Sequence, residues 1–248
     1  MRFHTPGRPD DLPPFDVLWA RAAALASLEA GGSKNHHDYA DTVVHHDDAG
    51  GNEWRLTRVE GGRGVLVGAD HECDEHVDIE GYDPYSGPDW LPWTWFTTLE
   101  QQREQGFAYW WDGSAWDRID YPDIIDNDGL DLLLTHLSTA ERAAEGVLGF
   151  LEVRSGSPAW EEGSPLVLHV LELAERGTGT EEEWRQVLDA ALGFASRQDS
   201  QYVHRGEDEF DVPAALAVAR ETGLIKGCEA RTRPAGRGRP AGWVPRRG

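Results

Sequence analysis

Between Trp54 and Tyr121 the sequence gathers seven of its eleven tryptophans and threads them through short alternating runs broken by glycine. Rings of that size must be covered, and alternation with a period of two places them on the faces of strands. Glu53 to Glu60 sets Trp54, Leu56 and Arg58 against Arg55, Thr57 and Val59, as a strand with one wet face does. Gly61-Gly62 turns the chain into Gly64–Gly68, a short apolar strand. Upstream, Tyr39 to His46 reads as one strand, and Asp47 to Asn52 as a turn. Downstream, Phe107 to Trp111, the turn Asp112-Gly113-Ser114 and Trp116 to Tyr121 read as a hairpin. Strands joined this tightly make an antiparallel meander.

Helical signals flank the sheet. Phe15, Leu18, Trp19, Ala22, Leu25 and Ala26 recur at helical spacing and stop at Gly31-Gly32, so an amphipathic helix is expected over Phe15–Leu28. Trp93 to Glu104 reads as a short helix with Thr97 or Thr98 as cap. After Pro122 come five helical runs: Asp128–Leu137, Thr139–Val153, Ser164–Arg176, Thr180–Ser196 and Val212–Thr222. Pro165 and Pro213 suit first turns, Ser138 or Thr139 before Glu141 and Thr180 before Glu181-Glu182-Glu183 suit helix N-termini, and Gly177 and Gly223 suit helix ends. The expected class is α+β: a meander sheet in the N-terminal half with an N-terminal helix and a C-terminal set of about five helices. Its parts are a Trp-rich sheet region with the N-terminal helix over 1–122, a helical region over 123–230 expected to dock on the sheet as one unit, and a basic, disordered tail over 231–248.

Charge narrows the partners. The chain carries 45 acidic against 23 basic residues, a formal net of −22. The tail from Arg231 holds six arginines and no acid, so the body before it is more negative still. Such a body repels nucleic acid and anionic membrane, and it attracts a basic protein by long-range steering. No apolar run approaches the roughly 20 residues of a membrane span, and the start MRFHTPGRPDD lacks the apolar core of a secretory signal. Cytoplasm is the expected compartment. The two cysteines, Cys73 and Cys228, make no disulfide framework or thiolate cage.

Catalytic signatures are weak. There is no G-x-S-x-G elbow, and Gly61-Gly62-Arg63-Gly64 precedes a strand and lacks the G-K-[ST] ending of a phosphate loop. Cys73 sits among acids that would raise a thiol pKa, against nucleophilic use. Histidine clustering supplies the main metal candidate, His45, His46 and Asp47 with His71 and His76, beside a weak oxygen-rich cation site in Asp70–Asp78. Its spacing argues against it, since neighbours on a strand face opposite ways and His71 to His76 is not a helical pair. No cofactor is expected, and an enzymatic role is disfavoured. The irregular stretch from Asp70 to Trp95 is the expected recognition surface, with Trp90, Trp93, Trp95, Tyr82, Tyr85, Asp70, Asp74 and, from the hairpin, Trp110.

In general character, an acidic, tryptophan-rich α+β chain with no catalytic signature is similar to the immunity proteins of bacterial toxin systems. The likeness is one of composition. It implies a protein-interaction factor, an inhibitor or immunity-type protein that covers a basic partner with an acidic surface. Two other expectations stand beside it: a metal-dependent hydrolase using the His/Asp cluster, and a small-molecule or carbohydrate-binding domain built on an aromatic surface.

Overall fold

Gly61 and Gly62 both take positive φ, 83° and 74°, a backbone that costs glycine nothing and other residues more than a kilocalorie. The turn they form closes β3 (Glu53–Val59) onto β4 (Arg63–Ala69) with Val59 opposite Arg63 and Trp54 opposite Gly68. β4 then pairs with β5 (Phe107–Trp111), and β5 with β6 (Trp116–Arg118), all antiparallel. The turn between β5 and β6 is pinned by Asp112, whose Oδ1 accepts the Ser114 hydroxyl and the Ser114 and Ala115 N–H groups. The computed structural model from which these statements come describes residues 3–32, 36–73, 83, 86–102, 106–197 and 210–238.

The fold is α+β, as expected: one six-stranded sheet in the N-terminal half, an N-terminal helix and a C-terminal run of helices. The strands follow chain order, β1 to β6. One strand more than expected arises because Tyr39–His46 is a hairpin, β1 (His37–Ala40) and β2 (Val43–Asp47). Its turn residues, Asp41 and Thr42, hold φ of 50° and 72°. A turn of this hand normally announces itself with glycine or asparagine, and Asp-Thr carries that signal poorly.

The chain forms two compact units that interleave along the sequence. The first comprises Met1–Phe15, His46–Thr135 and Thr232–Gly248; the second comprises Asp16–His45 and His136–Arg231. The first unit is the sheet unit. One face of β3, β4 and β5 buries Val59, Val65, Val67, Ala108 and Trp110 against Leu91, Trp93, Phe96 and Leu99. The last three come from α2 (Trp93–Gln102), which starts after Pro92. Thr97 and Thr98, expected as caps, lie inside this helix and return their hydroxyls to the carbonyls of Trp93 and Thr94. A short α3 (Leu130–Leu134) follows, shorter than the run expected from Asp128.

The second unit is helical. Its helix α1 (Phe15–Ala30) is buried all round from Leu18 to Leu28, against the expected amphipathic pattern. Ala20, Ala22, Ala23, Ala24 and Ala26 present almost no bulk, so neighbours can close on every face. Its polar groups are satisfied inside: Arg21 donates to Glu175 and to the Leu137 carbonyl, Trp19 to Thr222 and Ser27 to Ala215. Helices α4 (Ala140–Phe150), α5 (Pro158–Arg176), α6 (Glu181–Ala195) and α7 (Val212–Glu221) complete it. Thr139 and Thr180 cap α4 and α6 as expected, Thr180 in a capping box with Glu183, and Asp211 caps α7. α5 begins earlier than expected, capped by Ser157 with Pro158 in its first turn, so Pro165 lies within the helix. Reading Pro165 as a first-turn residue set the expected start at Ser164 and hid the six residues before it.

Carboxylate turns tie stability to acid. Burial works to raise the Asp11 pKa, but the His4 and Arg8 N–H groups and the His4 ring outweigh it and hold it below its ordinary value. Asp112 is also depressed, chiefly by the Ala115 N–H and by Ser114. A depressed carboxylate contributes stability above its unfolded pKa of about 4 and loses it as pH falls through the folded value. Urea midpoints should therefore hold between pH 7 and 5 and fall below about pH 4. In Asp11→Asn that acid limb should be shallower than in the parent chain.

Candidate functional site

The rings expected to read a partner divide sharply. Trp93 and Trp110 are 2% and 5% exposed and belong to the core of the sheet unit. They cannot present a surface, because the alternation that put rings on both strand faces also put α2 and the Asp89–Leu91 turn over one of those faces. Trp90 and Trp95 pack on the edge of that core and stay partly open. Asp70 is buried; its side chain accepts the Glu72 N–H and its carbonyl the Cys73 N–H, so it shapes a turn. Tyr82, Tyr85 and Asp74 lie outside the described residues.

What covers the open rings is arginine from the same unit. The Arg63 guanidinium lies 4.6 Å from the centre of the Trp90 ring, Arg118 lies 4.2 Å from Tyr121, and Arg233 lies 4.9 Å from Trp95. Each is a cation–π stack, worth about 0.5–2 kcal/mol according to its desolvation. Arg63 is further fixed by its Nε–H bond to the Glu60 carbonyl, 2.7 Å away.

Arg233 comes from the arginine-rich tail, for which composition predicts disorder. Its first residues are instead seated on the sheet unit. Arg233 pairs in parallel with Val59 at the end of β3: its N–H donates to the Arg58 carbonyl at 2.8 Å, and its carbonyl accepts the Glu60 N–H at 3.0 Å. The Ala235 N–H donates to the Glu60 carboxylate at 3.3 Å. The Gly236 N–H then reaches the Trp90 carbonyl at 2.7 Å, and Gly238 the Asp89 carbonyl at 3.0 Å. Ala235 packs on the same core that holds Trp90 and Trp95. An extended segment of this unit therefore adds to a strand end, stacks an arginine on a tryptophan and threads between Glu60 and the Asp89–Leu91 turn. Arg233 and Gly236 were not legible as site residues, because a tail of Arg, Gly and Pro carries no hydrophobic pattern, and Glu60 and Arg63 read only as the rims of a hairpin turn.

The histidines of the metal expectation have other engagements. His46, buried, stacks on Trp54 with ring centres 5.5 Å apart. Asp47 accepts the Ala49 N–H, and His71 bonds Asn52 through its backbone and ring nitrogens. His45, in the helical unit, lies 3.8 Å from the Asp38 carboxylate. His76 lies outside the described residues.

Two further buried groups, Asp128 with its tyrosines and Cys73, lie in the sheet unit. Asp128 is fully buried and accepts the Tyr109 and Tyr121 hydroxyls, each at 2.9 Å, and the Gly7 N–H at 2.9 Å. Burial first, then Asp128, raises the Tyr109 pKa far above the ordinary phenol range. A phenol so protected is a structural donor, not an acid catalyst. Cys73 is buried, and desolvation, then the Asp70 charge, pushes its thiol up to about 12. At pH 8 the native chain should react with a thiol reagent at Cys228 alone, with both cysteines labelling in denaturant. Fast labelling of Cys73 would contradict its burial.

Compared with known proteins, the chain matches no family model, no curated protein and no solved structure.

Proposed function

We propose that this chain is a protein-interaction factor that binds an extended, arginine-bearing segment of a basic partner on its sheet unit. One observation carries the reading: an arginine segment already sits there, with its main chain paired to Arg58 and Glu60 and its guanidinium on Trp95. Strand addition supplies affinity through backbone hydrogen bonds, and pockets or ring faces for the side chains supply selectivity. The strongly acidic composition supports the choice of a basic partner, whose encounter it accelerates. An inhibitor or immunity-type role is the form of this function that the composition favours.

A photoreactive amino acid placed at Asp89, beside the seat, tests it. Irradiation in cells followed by mass spectrometry should yield adducts with a second protein, mapped to a segment containing arginine. Binding of that segment should weaken on the order of tenfold in Trp95→Ala and weaken again with added salt. Adducts confined to this chain itself, or adducts with segments lacking arginine, would overturn the proposal.

A further inference from the structure

Resting on that reading, we infer that the seat selects an Arg-x-x-Gly sequence and that the chain's own tail holds it in competition with the partner. Selection at the last position is steric. A Cβ built on Gly236 would fall inside the carbonyl of Leu91 and 3.2 Å from the carbonyl of Asp89, both main-chain atoms that cannot swing aside. Only glycine fits, and its N–H must still reach the Trp90 carbonyl at 2.7 Å. Selection at the first position is by ring stacking and pairing, since Arg233 uses both its main-chain groups on β3 and its guanidinium on Trp95.

Between them, proline suits the second position because it brings a fixed φ and no N–H that would need a partner. The third residue, Ala235, is small enough to pack on the core edge while its N–H meets Glu60. Arg233-Pro234-Ala235-Gly236 satisfies all four positions. The same four residues recur as Arg239-Pro240-Ala241-Gly242. The chain thus carries the seated sequence a second time, six residues on.

The tail is tethered, so it competes at an effective concentration of order millimolar. A partner must therefore displace it, and a partner segment carrying arginine with glycine three residues on meets the same seat. The device is an occluding strap that keeps Trp95 and the end of β3 covered until a better-placed segment arrives.

The test uses the full chain and a labelled peptide, Thr-Arg-Pro-Ala-Gly-Arg-Gly, read by fluorescence anisotropy. Gly236→Val, made together with Gly242→Val so that the second copy cannot take its place, should expel the strap, and the peptide should bind this variant at least about tenfold more tightly than it binds the parent chain. A peptide with valine in place of the first glycine should not bind either protein. Arg233→Ala provides a second, milder release, expected to lie between parent and the double valine variant, should valine prove disruptive by circular dichroism. Equal binding to parent and both variants would overturn competition by the tail. Equal binding of the valine peptide would overturn the glycine requirement. If the photo-adduct experiment finds an arginine-bearing partner while this peptide binds no form of the chain, the selectivity inference fails and the proposed function stands. If neither finds a ligand, both fall.

Discussion

Asp128→Ala should cost about 3–5 kcal/mol of unfolding free energy, among the largest losses expected of a single polar change at the described residues. The carboxylate is fully buried and holds two tyrosine hydroxyls and the Gly7 N–H, while Leu130 N–H approaches it at 3.3 Å. Alanine leaves those donors in a site that water fills poorly, and each orphaned buried donor costs about 1–3 kcal/mol. Through Gly7 and Tyr121 the residue ties the N-terminal lead to the segment after β6, so its loss should loosen both. For a chain of this size the melting midpoint should fall by about 10 °C. Tyr121→Phe removes a single donor and should cost about 1 kcal/mol. A loss in Asp128→Ala no larger than in Tyr121→Phe would mean that the carboxylate is not the hub.

Trp93→Ala and Trp90→Ala should separate stability from recognition. Trp93 is 2% exposed and packs on Phe96 with ring centres 5.5 Å apart, so truncating it opens a cavity and should cost about 3–5 kcal/mol. Trp90 is partly open and stacks under Arg63, so its removal should cost about 1 kcal/mol. Urea denaturation of the two variants checks this directly. Similar losses would show that the Asp89–Leu91 turn is part of the core rather than its rim.

These contrasts mark where the sequence was readable. The β3–β4 hairpin was legible to within a residue, and the β5–β6 hairpin but for the last three residues expected of β6, because Gly61-Gly62 and Asp112-Gly113-Ser114 are turn chemistry and side-chain period two fixes the faces. The caps Thr139 and Thr180 were legible for the same local reason. The β1–β2 hairpin was not, since Asp41-Thr42 adopts positive φ without glycine. The all-round burial of α1 was not, since alanine reads as neutral until something packs on it.

For the site, the aromatic stretch pointed to the right neighbourhood but not to its working parts. Sequence alone put Trp90, Trp93, Trp95 and Trp110 on one footing; packing gave Trp93 and Trp110 to the core and left Trp90 and Trp95 on its rim. The occupant was missed because strand addition depends on backbone groups, which every residue carries alike. The one available sign was the repeated Arg-Pro-Ala-Gly of the tail.

Native-state amide exchange of the tail tests the central claim most directly. If Arg233–Gly238 is seated on the sheet unit, the Arg233 and Gly236 amides should exchange at least about a hundredfold more slowly than in an unfolded chain. Gly236→Val should abolish that protection, while amides in the middle of β4 keep theirs. Exchange of Arg233 and Gly236 at unfolded-chain rates in the parent protein would contradict the seat and everything inferred from it.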